Sequence, residues 1–358
     1  MIVYVGTYTT PNKSKGIYTM RFDPASGSLT KPEVAAEVKS PSFLTIHPNH
    51  RFLYAIGEMD QFQGKKAGAV SAFSIDAASG KLALINQQDS GGPGPAYVGL
   101  DQSGKVALVA NYGGGSVACL PIKADGSLAP ASAFIQHHGS SVNPQRQKEP
   151  HAHSINPTPD NHFAIAADLG LDKLLIYKLD TAQGSLEPND PPFATVPPGG
   201  GPRHFAFHPN GKWMYVVNEM GCSVTAFNYD GAKGSLTEFQ TLSALPPGQN
   251  NSPKFSGAEI QVHPLGKFVY ASMRGHNSLA TFTVDEGSGK LTLTGNTPCG
   301  GKTPRNFRLD PSGRWLLCAN QDSDNVVVFR VDQASGALTP AGVEAGVGSP
   351  VCVKFLGF

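Results

Sequence analysis

The most regular feature of the chain is a set of short runs in which apolar and polar residues alternate and which end in a turn sequence. Runs such as VSAFSID (70–76) and VVVFRVD (326–332) lead into turns of the type ASGSL. The central glycines of these turns are Gly27, Gly80, Gly126, Gly184, Gly234, Gly289 and Gly336. Alternation with period two predicts β-strands, and glycine supplies the positive φ that tight hairpins need. The pattern therefore predicts seven hairpins.

A second element, strand–turn–strand, repeats out of phase with the first. Its six copies are residues 41–58, 95–112, 151–168, 202–219, 257–274 and 304–321. The C-terminal SPVCVKFLGF matches a first strand alone, and the N-terminal MIVYVGTYT and GIYTMRFD match a second and a third. Four strands per unit, repeated seven times, predict an all-β, seven-bladed β-propeller of four-stranded antiparallel blades. We expect the C-terminal strand to pair with the N-terminal strands and close the ring, giving one domain over residues 1–358.

Composition supports this fold and narrows the possible partners. The 41 glycines and 29 prolines suit short strands and tight turns. The net charge of +1, without a basic run, argues against nucleic acid or a membrane as partner. The five cysteines are scattered and lack C-x-x-C spacing, so we expect neither a disulfide framework nor a zinc site. With no leader-like or long apolar segment, the sequence predicts a cytoplasmic protein. We also expect a monomer or a weak homodimer.

The three long connections, 59–68, 136–150 and 244–257, are all predicted on the rim where the innermost strands begin. When the units are aligned on the turn proline, the mouth positions of the innermost strands are Ser42, Ala96, His153, Arg203, Ala258 and Arg305. The ends of the second strands contribute Glu58, Asp168, Glu219, Arg274 and Gln321. Arginine forks match carboxylate and phosphate oxygens, so the convergence of Arg203, Arg274 and Arg305 predicts an anion site at the channel mouth.

Histidines add candidate acid–base chemistry. His151 and His153 are two residues apart on a predicted strand, so they point to one face, near Asp168. These residue types also bind metals, but no third histidine has suitable spacing, and a general base or a hydrogen-bond donor is the favoured interpretation. Asp168 and Asp172, in DLGLDKL, are expected to bind substrate hydroxyls or to orient His153. His47, His208 and His263, in the His-Pro turns of the opposite rim, are predicted to be structural.

Several motifs resemble one known family. YVGTYT, AVSAFSID, ANYGGGSV, PHAHS, DLGLDKL, GPRHFAFHPNGKWMYVVNE and PRNFRLDPSG, in this order, are similar to the seven-bladed β-propeller lactonases. That family includes the bacterial 6-phosphogluconolactonases and is related in fold to the carboxy-cis,cis-muconate cyclases. The resemblance implies hydrolysis of 6-phosphoglucono-δ-lactone to 6-phosphogluconate in the pentose phosphate pathway, without metal or organic cofactor. It places the catalytic residues on His153, Arg203, Glu219 and Arg274.

On this hypothesis Glu219 or His153 activates the attacking water, and the arginines bind the phosphate and the developing oxyanion. The further substrate-binding candidates are His151, Asp168, Asp172, His204, Arg305, Glu58 and Gln321. Three alternatives remain open at this point. A carboxy-muconate cycloisomerase would use the same arginines on carboxylates. A non-enzymatic binding propeller would need an apolar rim, whereas this one is charged and polar. A metal-dependent lactonase would lose activity to a chelator.

Overall fold

The computed structural model of the chain describes residues 1–9 and 13–357 and is built from short β-strands. In chain order the first fifteen are β1 (Ile2–Thr7), β2 (Gly16–Arg21), β3 (Glu33–Glu37), β4 (Leu44–Ile46), β5 (Phe52–Gly57), β6 (Ala69–Ile75), β7 (Leu82–Asp89), β8 (Pro95–Leu100), β9 (Val106–Asn111), β10 (Ser116–Pro121), β11 (Ala133–Gln136), β12 (Ala152–Pro157), β13 (Phe163–Asp168), β14 (Lys173–Asp180) and β15 (Ser185–Thr195). The others are β16 (Pro202–Phe207), β17 (Trp213–Asn218), β18 (Ser223–Asp230), β19 (Ser235–Ser243), β20 (Ser256–Val262), β21 (Phe268–Arg274), β22 (Ser278–Val284), β23 (Leu291–Pro298), β24 (Pro304–Leu309), β25 (Trp315–Asn320), β26 (Asn325–Val331), β27 (Leu338–Gly346) and β28 (Pro350–Leu356).

These strands form seven four-stranded antiparallel sheets, the blades of a propeller. Six blades take four consecutive strands each, from β4–β7 to β24–β27, and the seventh has the order β28-β1-β2-β3. In that seventh blade Ile2 lies opposite Leu356 and Val5 opposite Val353. The predicted fold class and ring closure are thus confirmed.

Burial follows the position of each strand in its blade. The innermost strands, β4, β8, β12, β16, β20, β24 and β28, surround the central channel, and those of adjacent blades contact one another. Second strands such as β9 and β17 are buried along their whole length, because a neighbouring blade covers each face. The fourth strands, such as β15, are largely exposed. The first and second strands are therefore the part of each blade that can hold buried polar side chains around the channel.

The seven glycine hairpins join the third and fourth strands, and their glycines all have positive φ, as predicted. Gly289, with a φ of 72°, shows a second reason for glycine. A Cβ at this position would lie 2.4 Å from a ring carbon of Trp213 in the preceding blade. The Tyr215 hydroxyl of that blade also donates a hydrogen bond to the Gly289 carbonyl (2.8 Å). The hairpin thus fastens one blade to the next.

The His-Pro turns fasten blades on the rim opposite the long loops. In His47, Nδ1 accepts a hydrogen bond from the Asn49 amide, so Nε2 carries the proton and donates to the carbonyl of Gly104 in the next blade (3.0 Å). His208 and His263 bind Gly266 and Gly313 in the same way. The predicted structural role of these histidines is confirmed.

The five cysteines are buried and unpaired. Among the described residues, no helix has the length and apolar character needed to cross a membrane.

Candidate active site

The site is built on irregularities in the innermost strands. In six of the seven blades, the pairing between the first and second strands slips near the long-loop mouth of the channel. The residues left without a partner are Ala96, His153, Arg203, Ala258 with Glu259, Arg305 and Val351. A β-bulge bends the strand and re-aims side chains. The bulges therefore turn the aligned mouth positions, which include Arg203 and Arg305, into the channel.

The bulge at Arg203 also explains why two polar residues stand side by side in β16. Both side chains are buried, with 2% of Arg203 and 4% of His204 exposed. Arg203 reaches toward the mouth, whereas the His204 ring packs edge-on against Phe43, Tyr97 and His153 deeper in the channel.

Glu219, which follows β17, binds three arginines at once. Its Oε1 accepts a hydrogen bond from Arg146 (2.8 Å), and its Oε2 lies 3.1 Å from Arg203 Nε and 2.8 Å from an Arg274 nitrogen. Burial alone would raise the pKa of Glu219, but the charges of Arg274, Arg203 and Arg146 outweigh it and hold that pKa far below its ordinary range. Glu219 is therefore a firmly ionised carboxylate that positions guanidinium groups.

Arg203 lies close to the positive charges of Arg274 and Arg305. Burial, followed by the charges of Arg274 and Arg305, lowers the pKa of Arg203 to about 9, so it stays protonated at neutral pH. Besides Glu219, it donates a hydrogen bond to the Ala258 carbonyl (2.5 Å). These contacts fix the guanidinium rigidly at the mouth.

The guanidinium of Arg305 has no hydrogen-bond partner of its own among the described residues. It lies over the Tyr8 ring at 5.3 Å and has no ion pair to any residue that the structure describes. The Tyr8 hydroxyl donates to Glu58 Oε2 (2.9 Å), and the Ser42 hydroxyl donates to the same oxygen (2.5 Å). Glu58 thus holds the tyrosine that supports Arg305, and the donors of Arg305 remain available to a ligand.

A cavity of about 330 Å³ opens among these groups. It is lined by Glu58, Ala96, Tyr112, Arg146, His153, Glu219, Ser256, Arg274 and Arg305. Together with Arg203 directly below, the site has four arginines and two glutamates, a net charge of +2. Small-molecule sites have volumes of about 300–1,000 Å³, so the cavity suits one small anionic ligand.

His153 provides a proton acceptor at this cavity. Burial, followed by the charges of Arg203 and His204, lowers the pKa of His153 well below its ordinary value, so the ring is neutral at neutral pH. Its Nδ1 is buried and has no hydrogen-bond partner among the described residues. A buried nitrogen without a partner is costly, and a bound substrate or water would satisfy it.

His151 and Asp168 lie beside the cavity and are not among its lining residues. The His151 ring stacks on Tyr112, with centroids 4.5 Å apart, and its Nδ1 lies 3.0 Å from the Tyr112 carbonyl oxygen. Asp168 accepts hydrogen bonds from the amides of His151 and Gly170, and its other oxygen is 2.7 Å from His137 Nδ1. The two residues therefore support the cavity wall and the loop that follows β11.

Asp172, with a φ of 54°, joins the two segments that carry site arginines. One oxygen accepts hydrogen bonds from Gln147 Nε2 and the Gly201 amide, and the other from the Ser141 hydroxyl and the Gly199 amide. Residues 141–147 carry Arg146, and residues 199–201 lead into Arg203. Asp172 thus fixes both arginines from a distance.

The substitution Asp172→Asn should lower the free energy of unfolding by about 1.5–3 kcal/mol, because an amide NH₂ would face two of these donors and hydrogen bonds to the charge would be lost. Asparagine tolerates positive φ, so backbone strain would not contribute. KM should also rise severalfold as Arg146 and Arg203 loosen. Urea unfolding and steady-state kinetics measure both effects. Asp60→Asn, at an exposed aspartate on the same rim, is the control, and equal stability of the two variants would refute this role.

Gln321 follows β25 at the same mouth, and its buried Oε1 has no partner among the described residues. Four contributors to the site escaped the sequence analysis, namely Arg146, Tyr8, Tyr112 and Ser256. Arg146 was detectable in principle, since it is the one arginine of the long 136–150 connection.

Within residues 1–9 and 13–357, no group of three or more His, Cys, Asp or Glu side chains is arranged to hold a metal ion.

Comparison with known proteins gives a consistent result. The family model described as "Lactonase, 7-bladed beta-propeller" matches residues 2–355. A Bacillus subtilis (strain 168) protein named 6-phosphogluconolactonase is 38% identical over 356 residues, covering 99% of this chain and 98% of that protein. A Formosa agariphila protein of the same name is 37% identical and covers 86% of each chain. The solved structure of a Pseudomonas aeruginosa periplasmic gluconolactonase superimposes with a TM-score of 0.92 at 36% identity, covering 99% of both chains.

Proposed function

The chain belongs to the family of seven-bladed β-propeller lactonases, and from that premise we propose that it hydrolyses 6-phosphoglucono-δ-lactone to 6-phosphogluconate. The observation that carries the proposal is the net charge of +2 around a cavity of about 330 Å³, with the guanidinium of Arg305 free to bind. A neutral sugar lactone would leave this charge uncompensated. A phosphate group would neutralise it and fit guanidinium donors two at a time.

In the proposed complex Arg305 binds the phosphate, and the lactone carbonyl lies toward Arg274. His153 accepts a proton from water, and the resulting hydroxide attacks the carbonyl carbon. Arg274, whose Nε has no partner among the described residues, stabilises the oxyanion of the tetrahedral intermediate. The bond between that carbon and the ring oxygen then breaks, and the imidazolium of His153 returns its proton to the leaving oxygen. No metal or organic cofactor is needed for these steps.

Between the two bases left open by the sequence, the contacts favour His153. Both oxygens of Glu219 are already bound by arginines, and its depressed pKa makes it a weak base. His153 is neutral and has a free buried nitrogen at the cavity. We therefore assign Glu219 the role of positioning Arg146, Arg203 and Arg274.

The substitution Arg305→Gln tests the substrate assignment. The loss of a charged, two-donor contact to phosphate should reduce kcat/KM for 6-phosphoglucono-δ-lactone by about 10–100-fold. Activity on unphosphorylated gluconolactone, which lacks the phosphate, should change little. Steady-state hydrolysis of both freshly prepared lactones measures the difference, with Arg330→Gln at an exposed surface position as the control.

The second candidate is an unphosphorylated gluconolactone, the substrate class named for the Pseudomonas aeruginosa relative. It predicts that the wild-type protein hydrolyses both lactones at similar rates and that Arg305→Gln affects them equally. That outcome would remove the phosphate from the proposal and leave the lactonase chemistry in place.

A further inference from the structure

The opposite end of the central channel contains a larger cavity, of about 600 Å³, on the face formed by the His-Pro turns. Between the two cavities the channel narrows, at a level lined by Phe43, His153, Arg203 and His204, to a space of about 10 Å³. A single water molecule needs roughly that volume. A ligand in the far cavity therefore cannot reach the mouth with the arginine cluster, and the two ends are separate sites.

Two cations face this far cavity from adjacent innermost strands. Lys354 lies on β28 and Arg308 on β24, and both line the cavity wall. Neither has an ion pair or a side-chain hydrogen bond to any residue of the described ranges. Burial lowers the pKa of Lys354, and the charge of Arg308 adds to this effect, whereas the charge of Glu259 acts in the opposite direction. Two cations without a hydrogen-bond partner thus lie on one cavity wall, an arrangement that an anion would stabilise.

The carboxylates of the acidic residues in the cavity already accept hydrogen bonds from other groups of the protein. One oxygen of Glu259 is 3.3 Å from His204 Nδ1 and accepts a hydrogen bond from the Ile260 amide, and the other accepts one from Asn306. The carboxylate of Asp310 accepts hydrogen bonds from Ser312 and Trp315 in its own turn. Lys354 and Arg308 therefore keep free donors for a ligand.

Aromatic rings form one part of the cavity wall. The rings of Phe43 and Tyr97 stack with centroids 4.0 Å apart, and the Lys354 ammonium lies 4.5 Å from the Phe43 centroid. Phe205 and Phe207 face the same space. Such a wall suits an apolar ring or chain attached to the anionic group.

We propose that this far cavity binds a small organic carboxylate, its charge between Lys354 and Arg308 and its apolar part against Phe43 and Phe205. The site is distinct from the arginine cluster at the other mouth and does not depend on the reaction proposed there. Its ligand is recognised as a carboxylate with an apolar body, in contrast to the phosphorylated, hydroxyl-rich lactone.

The probe is 4-fluorobenzoate, whose ¹⁹F NMR signal broadens and shifts on binding. We expect saturable binding to the wild-type protein and a dissociation constant raised about tenfold or more in Lys354→Met/Arg308→Met. Lys212→Met, which removes an exposed lysine from a His-Pro turn outside the cavity, should bind like wild type. Because Arg308 is exposed, Arg308→Met alone provides the test if the double variant fails to fold.

Three results would overturn the proposal. The first is no saturable binding of 4-fluorobenzoate to the wild-type protein. The second is unchanged affinity in a folded Lys354→Met/Arg308→Met variant, or in Arg308→Met if it is the variant tested. The third is loss of binding in Arg305→Gln with retention in the far-cavity variants, because the probe would then occupy the arginine cluster at the other mouth.

Discussion

Replacing His153 by glutamine is expected to reduce kcat for 6-phosphoglucono-δ-lactone by about 10²–10⁴-fold, the usual contribution of a positioned general base. Glutamine preserves much of the side-chain volume and polarity but cannot accept the proton. The phosphate contact to Arg305 does not involve His153, so KM should change little. Separate determination of kcat and KM therefore distinguishes a lost base from a distorted site.

The control for this experiment is His162→Gln, at an exposed histidine in a turn of the same blade. It should retain wild-type kinetics. Full kcat in a folded His153→Gln protein would assign proton transfer to another group. A large rise in KM with little change in kcat would instead indicate that His153 binds substrate without acting as the base.

The same assignment predicts how activity depends on pH. The pKa of His153 lies well below 6.5 in the free protein, so its neutral form persists below that pH. The acid limb of kcat/KM should accordingly fall below pH 6.5, and activity should decrease as His153 becomes protonated. A midpoint above 6.5 would be inconsistent with a buried, neutral His153 as the base.

The second large effect is expected from Glu219→Gln. This change removes the carboxylate that binds three arginines, while Arg203 stays buried next to Arg274. Loss of one partner from a buried ion pair costs about 3–5 kcal/mol, because the remaining charge is uncompensated. The free energy of unfolding should fall by that amount, and kcat/KM should fall with it as Arg274 and Arg146 lose their positions.

The pH dependence of stability separates this charge effect from a general packing defect. The pKa of Glu219 is depressed in the folded protein from an ordinary value of 4.5. Its stabilising contribution is therefore fully present above pH 4.5 and is lost as the pH falls toward the folded-state pKa. The wild-type protein should lose stability over this acidic range more steeply than Glu219→Gln. The exposed Glu187→Gln control should follow the wild type, and parallel curves for all three would refute the ion-pair account.

The repeats made the fold readable from the sequence, because each blade carries its own turn signals. Glycines such as Gly289 mark hairpins by their φ, and the unmatched half-units at the two ends predicted the seventh blade. The prediction of a single domain over residues 1–358 includes positions 10–12 and 358, which lie outside the described residues, and it stays a prediction. The expected cytoplasmic location also stays one, and a similar Pseudomonas aeruginosa protein is described as periplasmic.

The site was harder to predict because its geometry depends on non-local features. Alignment of the repeats placed Arg203, Arg274, Arg305 and Glu219 at one mouth, where the structure brings them together. The bulges that turn Arg203 and His204 inward leave no signal in the period of the strands. The position of Arg146 depends on Asp172, which accepts a hydrogen bond from the neighbouring residue Gln147. Asp172 and Gln147 belong to two different connections of the chain. Contacts of this kind between loops of different units cannot be derived from spacing within one unit.

The most direct test of the account is the decay of freshly generated 6-phosphoglucono-δ-lactone with and without the protein, followed by ³¹P NMR at mildly acidic pH, where spontaneous hydrolysis is slow. We expect catalytic amounts of the protein to convert the lactone to 6-phosphogluconate far faster than the uncatalysed reaction, and Arg305→Gln to lose most of that acceleration. Decay at the uncatalysed rate in the presence of folded wild-type protein would contradict the proposed function.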